Sequence, residues 1–280
     1  MDFGTKSSNP RPGAEVLLRD LVFDRTGLVF EDSKLDLFTS KLAPLMKERG
    51  FESYLDYYYL LKYDPASDDA WNELIDAVTV QETYFWREID QLHGLAEKVI
   101  PELIASRPGE RIRIWCAASA TGEEPLSIAM RLSEEHWFER VDIQIIATDA
   151  SPAALRKARS GLYSGRSFRA LPEALRDKYF TEQGKEWKVS HDLMRRITWG
   201  RVNLLDERAV SDCANASVIF CRNVFIYFAP ETIRRVVDSF ARNVVVPGFL
   251  FVGASESLLK ATDEFELEEI GNAFVYTKRC

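Results

Sequence analysis

Histidine is scarce in this chain: 280 residues hold only His93, His136 and His191, each far from the others. That spacing excludes a histidine-built metal centre and offers no evident histidine general base. The four cysteines, Cys116, Cys213, Cys221 and Cys280, form no Cys-x-x-Cys pair. Neither a zinc knuckle nor a disulfide framework is therefore expected. No apolar run approaches the roughly 20 residues of a membrane span. The stretch Met1 to Pro10 lacks the apolar core of a secretory signal, so a cytoplasmic protein is expected. The glycine fingerprint Gly-x-Gly-x-x-Gly is missing, which removes the usual mark of a dinucleotide-dependent oxidoreductase. Positive charge is outnumbered, 36 Lys and Arg against 44 Asp and Glu, for a net charge of −8. Such a balance excludes a general nucleic-acid binder, which carries a basic surface.

What is present is an ordinary globular composition, 46% hydrophobic and 29% charged. The length suits one large domain or two smaller ones. Residues 1–12, rich in Ser, Asn, Pro and Gly, read as a flexible tail. Residues 13–77 read as an all-helical domain. Within it Leu35, Phe38, Leu42 and Leu45 recur at three- and four-residue spacing and make one apolar face, which Gly50 closes. Asp64 to Asp69 offers N-cap candidates for a helix carrying Trp71, Leu74 and Ile75. Residues 78–90 read as a linker and residues 91–280 as a second domain. Ile89 to Ser106 follows as a helix with a bend at Pro101. From there to residue 280 strand-like runs (112–117, 143–148, 218–221, 249–253) alternate with helical ones (125–135, 152–160, 231–243), the pattern of a parallel sheet covered on both faces. Trp187, Val189, Leu193, Ile197 and Trp199 predict a small antiparallel insertion over about 183–200. Phe265–Ile270 and Ala273–Lys278, joined by Gly271-Asn272, predict a hairpin.

Chemistry concentrates where strands end. Arg111 to Met130 reads as a buried strand, a turn of small residues (Ala117 to Gly122) and a helix opening on Glu123 and Glu124. A helix N-terminus at such a turn ordinarily receives a pyrophosphate, drawn by free N–H groups and the helix dipole. Two carboxylates there repel phosphate and favour a cationic nucleoside. S-adenosylmethionine, with its sulfonium and ammonium, fits that description and points to a methyltransferase. Asp149 ends the second strand, where an acidic residue accepts ribose hydroxyls. The alternative is that it caps the helix starting at Ser151-Pro152. Arg222 and Asn223 stand at the tip of the 218–221 strand, on the ligand-binding side of an open sheet. Phe225 and Phe228 read as core, and Tyr227 suits either role. In the linker, polar Gln81, Thr83 and Arg87 alternate with Tyr84, Phe85 and Trp86. On composition this is a packed connector.

Four motifs in order decide the family resemblance: Gln81-x-Thr83-x-Phe85-Trp86-Arg87, Ala118-Ser-Ala-Thr-Gly-Glu-Glu-Pro125, Phe220-Cys-Arg-Asn-Val-x-Ile-Tyr-Phe228 and Gly253-Ala-Ser-Glu-Ser-Leu258. Asp149, Ala158 to Tyr163 and Asn203-Leu-Leu205 fall between them. Over roughly residues 15 to 278 the chain resembles the CheR-type chemoreceptor glutamate O-methyltransferases. The resemblance implies a Rossmann-like S-adenosylmethionine-dependent α/β sheet with a small antiparallel insertion, preceded by an all-α domain. It implies methyl transfer from S-adenosylmethionine to glutamates on the cytoplasmic helical region of chemoreceptors, with S-adenosylhomocysteine as product. Gln81, Thr83, Arg87, Glu123, Asp149, Asn203, Leu204, Arg222 and Asn223 would line the cofactor site. Arg87 and Tyr227 would lie nearest the transferred methyl. No metal, no nucleic acid and a monomer are expected.

Three departures stand out: Gln81 for the usual Asn, Ala120 for a frequent Ser or Cys, and Trp86 for the usual Phe. The stretch Arg156 to Lys178 holds seven basic and two acidic residues. It reads either as a steering surface for an acidic receptor helix or as a solvated face with local ion pairs. The rival to an active enzyme is an inactive relative that binds S-adenosylmethionine or its product as a signalling scaffold.

Overall fold

Caps and breakers set the first helices. The computed structural model describes residues 13–279; the tail expected over residues 1–12, and Cys280, lie outside them. α1 (Ala14–Thr26) stops at Gly27, whose φ of 75° only glycine adopts at little cost. α2 (Leu35–Glu48) ends in a Schellman turn, in which the Gly50 N–H donates to the Lys47 carbonyl and the Phe51 N–H to the Met46 carbonyl. α3 (Tyr54–Tyr63) begins at Ser53, whose hydroxyl accepts the Asp56 N–H. α4 (Asp68–Val78) follows the Asp64 turn. Leu18, Val22, Phe38, Leu42, Tyr57, Trp71 and Leu74 form their common core. The buried indole of Trp71 donates to the Leu61 carbonyl, so the ring enters the core without an unmade hydrogen bond.

The chain divides into two compact units, with the boundary between Val78 and Thr79. The second opens with the 79–88 segment and α5 (Ile89–Gly94). A π turn, Leu95–Val99, then leads into α6 (Ile100–Ser106). The irregular turn falls just ahead of Pro101, where the bend is expected.

Seven strands make the main sheet: β1 (Ile112–Ala117), β2 (Ile143–Asp149), β6 (Ile197–Arg201), β7 (Val218–Phe220), β8 (Gly248–Phe251), β9 (Glu266–Ile270) and β10 (Ala273–Lys278), in the order β6-β2-β1-β7-β8-β10-β9. The five from β6 to β8 are parallel, and the β9–β10 hairpin adds antiparallel. Side chains alternate between two cores. Ile114, Cys116, Phe220 and Phe249 face one; Trp115, Ala117, Ile219 and Leu250 face the other. A strand buried on both faces has to be apolar throughout, which is why the central strands β7 and β8 show no polar alternation. The connecting helices are α7 (Glu123–Glu134), α8 (Trp137–Arg140), α9 (Pro152–Ser160), α10 (Glu173–Tyr179), α11 (His191–Met194), α12 (Glu207–Ala214) and α13 (Pro230–Asn243). Among the described residues no helix is long and apolar enough to cross a membrane.

The insertion differs from the expectation in extent. Its antiparallel sheet is built from β3 (Leu162–Ser164), β4 (Phe180–Gln183) and β5 (Glu186–Val189), in the order β3-β5-β4. It therefore begins well before residue 183. The segment carrying Ile197 and Trp199 is instead the edge strand β6 of the main sheet, paired parallel to β2. An alternating run has the same appearance in either sheet, so only pairing separates them.

Candidate active site

Three connections converge at the carboxyl ends of β1, β2 and β7, where the strand order reverses between β1 and β7. Open α/β sheets bind ligands at such a reversal. The loop after β1 turns by placing Ala118 (φ 58°), Ala120 (φ 47°) and Gly122 (φ 95°) in left-handed conformations. The Ser119 N–H donates to the Thr148 carbonyl at 2.8 Å, and the Ala120 N–H to Asp149 Oδ2 at 2.9 Å. Asp149 Oδ1 accepts the Ser151 N–H at 2.8 Å. Capping of α9 belongs to Ser151, whose hydroxyl accepts the Ala154 N–H at 3.0 Å. Asp149 thus ties the tip of β2 to the loop after β1.

Six non-glycine residues have positive φ among those described: Trp86, Glu88, Ala118, Ala120, His136 and Asn223. All except His136 lie inside the quoted motifs around this crevice or, in the case of Glu88, directly after one. Strained backbone of this kind gathers at functional sites, because it persists only where the surroundings enforce it.

The two helix-opening carboxylates part company. Glu123 is buried and accepts hydrogen bonds from Thr121 Oγ1 (2.6 Å) and Ser167 Oγ (3.0 Å), while burial raises its pKa. Glu124 meets Arg222 Nη1 at 3.3 Å. Burial pushes the Glu124 carboxyl up to about 7, with Arg222 pulling it down and Glu88 adding to the rise. The Arg222 guanidinium also lies 3.4 Å from Glu88 and donates to the Arg87 carbonyl at 2.8 Å. Its side chain is 3% exposed. It therefore holds the 86–88 backbone against α7 from inside. The picture of two carboxylates facing a cation together gives way to one hydrogen-bonded glutamate and one ion-paired glutamate.

Arg87 itself keeps Nη1 on the Glu82 carbonyl at 3.1 Å, and its guanidinium lies 5.6 Å from the centre of the Tyr84 ring. Phe85, between them, packs on Tyr163, Phe168 and Phe180 at ring distances of 4.8 to 5.2 Å. That packing anchors the segment, and Thr83 and Arg87 remain half-buried beside it. Gln81 Nε2 donates to Ser151 Oγ at 3.0 Å, so its extra methylene reaches the base of α9. Asn203 shapes the turn after β6: its Oδ1 accepts the Leu205 N–H and its carbonyl the Asp206 N–H. The Leu204 side chain is buried in the second core. Asn223, left-handed at φ 59°, and half-buried Tyr227 follow β7.

A nucleoside cofactor suits these residues. The turn after β1 is lined by small side chains, and the buried Ser119 hydroxyl has no partner within the protein. Residues 81–274 match the family model for the CheR methyltransferase S-adenosylmethionine-binding domain, and residues 16–79 match the model for its all-alpha domain. The chain belongs to the CheR methyltransferase family. It is similar to chemotaxis protein methyltransferase 2 of Vibrio cholerae serotype O1, 36% identical over 263 residues that cover 93% of this chain and 91% of that one. A chemotaxis protein methyltransferase of Pseudomonas putida is 31% identical, covering 89% of this chain and 92% of its own. One from Borreliella burgdorferi is 32% identical, covering 85% and 86%. The enzyme is an S-adenosylmethionine-dependent methyltransferase.

Of the two readings of the basic stretch, the ion-paired face has the contacts. Lys157 pairs with Glu186 at 2.9 Å, Arg169 with Glu82 at 2.6 Å and Lys178 with Glu134 at 2.6 Å. Sequence reasoning missed Glu88 and Glu256. Both lie inside or beside quoted motifs, and only their buried contacts mark them out.

Proposed function

We propose that this methyltransferase converts glutamate side chains on the cytoplasmic helical region of chemoreceptors to methyl esters, and so works in the cytoplasm; we propose a monomer as the working form. The observation that carries the reading is the joining of Asp149, the strained turn after β1 and the Arg87 segment at one crevice, in a chain matching both family domains. When bound, S-adenosylmethionine supplies a methyl on a sulfonium, which passes to a carboxylate oxygen while the carbon–sulfur electron pair stays on sulfur. An acceptor glutamate, with an ordinary pKa of about 4.3, is already ionised at neutral pH, so the chain need not provide a general base. Its task is alignment and exclusion of water.

Asp149 takes the ribose hydroxyls at the tip of β2. Gln81, Thr83, Asn203, Leu204 and Asn223 complete the cofactor walls. Glu123 and Arg222 serve the same wall from behind, one bracing the turn and the other the Arg87 backbone. Arg87 orients the incoming carboxylate, and Tyr227 shapes the methyl pocket. The intact Arg87, Asp149 and Asn223 set speaks against an inactive scaffold.

Two variants test this. In calorimetric titration with S-adenosylhomocysteine, Asp149→Ala is expected to lose at least about tenfold in affinity, through the lost contacts of a charged acceptor. Arg87→Ala is expected to lower receptor methylation by about a hundredfold, since alignment dominates this chemistry. Full turnover by Arg87→Ala would remove its role.

A further inference from the structure

We propose that Glu256 is a positioning residue of the methyl-transfer site, setting the backbone from Asn223 to Tyr227 from the turn after β8. This rests on the reading of Asn223 as a cofactor contact. The Gly253–Leu258 motif supplies none of the cofactor contacts assigned above, yet its glutamate is deeply engaged with the neighbouring connection. Glu256 Oε2 accepts the N–H of Asn223 at 2.7 Å and that of Gly253 at 2.7 Å. Its Oε1 accepts the N–H of Ile226 at 3.3 Å. One side chain therefore satisfies three backbone donors drawn from two separate strand-end connections.

The geometry it holds is a demanding one. Asn223 sits at φ 59°, a region L-residues avoid unless their surroundings enforce it, although asparagine tolerates it better than most. Gly253 lets the Asn223 side chain come close: a Cβ at this position would overlap the Asn223 amide and lie 2.9 Å from Glu256 Oε2. The same turn reaches the Arg87 segment. The Ala254 N–H donates to Glu88 Oε2 at 3.2 Å, and Gln91 Nε2 donates to the Val252 carbonyl at 2.8 Å. The turn after β8 therefore gathers the two segments that carry Arg87, Asn223 and Tyr227, with Glu256 as the clamp on the second.

A clamp that acts through Asn223 differs from general loop stabilisation in one measurable way, which is energetic coupling between the two residues. The experiment is calorimetric titration of S-adenosylhomocysteine into wild type, Glu256→Ala, Asn223→Ala and the double variant. Circular dichroism establishes that each is folded. Glu256→Gln joins the set because it preserves the side-chain volume and one acceptor oxygen, while turning an amide NH₂ toward a backbone N–H. Glu256→Ala is expected to weaken binding about tenfold, and Glu256→Gln by less. In the Asn223→Ala background, Glu256→Ala is expected to change affinity by less than about twofold. Folded Glu256 variants that bind like wild type, or losses that multiply in full, would overturn the positioning role. Wild-type binding by Asn223→Ala alone is a different result: it overturns the cofactor role of Asn223 itself, and the clamp with it.

Discussion

Glu124 is the residue whose ionisation the fold works against. Burial raises its pKa to about 7 from an ordinary 4.5, despite the guanidinium of Arg222 at 3.3 Å. A carboxyl raised in this way binds its proton more tightly in the folded state than in the unfolded chain. Its contribution to stability is complete below about pH 4.5 and is lost as the pH rises through about 7. Glu124→Gln removes that proton. Between pH 5 and pH 8 the wild type is therefore expected to lose about 2 kcal/mol relative to Glu124→Gln, a few degrees in Tm. Thermal melts of both proteins across this range check it, and parallel pH dependence in the two would refute the assignment. Arg222 makes the same point from the other side. It touches two carboxylates and one carbonyl, so shortening it takes the cationic partner from the buried Glu124 carboxyl and a donor from the Arg87 carbonyl.

At the scale of elements, the strand–turn–helix of β1 and α7 is held by what its turn excludes. Gly122 at φ 95° has no room for a side chain. A Cβ would come within 2.8 Å of Trp199 and 3.0 Å of Ala158 and the Tyr163 hydroxyl. Tyr163 in turn donates to the Thr121 carbonyl at 2.9 Å, so the insertion strand β3 helps to shape the turn after β1. Gly122→Ala combines backbone strain with overpacking and is expected to destabilise by about 2 kcal/mol, near 5 °C in Tm. It should weaken S-adenosylhomocysteine binding as well. Melting and titration of the one variant test both, and a Tm within a degree of wild type would mean that the neighbours yield freely. Phe85 plays the matching part for the Arg87 segment, as a ring wedged into the insertion's aromatic cluster.

For the whole molecule, the hydrophobic cores respect the division between the units. One core draws only on residues from Leu18 to Val78, and the other two only on residues from Phe85 to Tyr276. Every proposed cofactor residue lies after Thr79. A fragment of residues 79–280 is therefore expected to fold alone and to bind S-adenosylhomocysteine within about threefold of the full chain, as a domain with its own core should. A folded fragment with no binding would show that residues 1–78 contribute to the cofactor site. The net charge of −8 is spread unevenly, and Lys157, Arg169 and Lys178 in the basic stretch are each paired with a glutamate.

Much of this was legible in the residues. Period-3.6 spacing around Phe38 and Leu42 makes one apolar helix face, and apolar runs such as Val218 to Phe220 require burial on both faces. Small residues before Glu123, and Asp149 at the end of β2, are the local features on which the proposed nucleoside site rests. Other features have no local signature. Whether Ile197 to Arg201 joined the insertion or the main sheet depended on which partner strand it met. Whether Glu123 and Glu124 faced a ligand or the protein depended on Ser167 and Arg222, which are distant in sequence. The clasp of Glu256 on Asn223 spans 33 residues. Residue spacing alone therefore determined most of the helices and strands and their order along the chain, because those follow from contacts within a turn or two. Tertiary structure decided which charged groups neutralise one another and which remain for a ligand, because that depends on long-range juxtaposition in a buried, low-dielectric crevice.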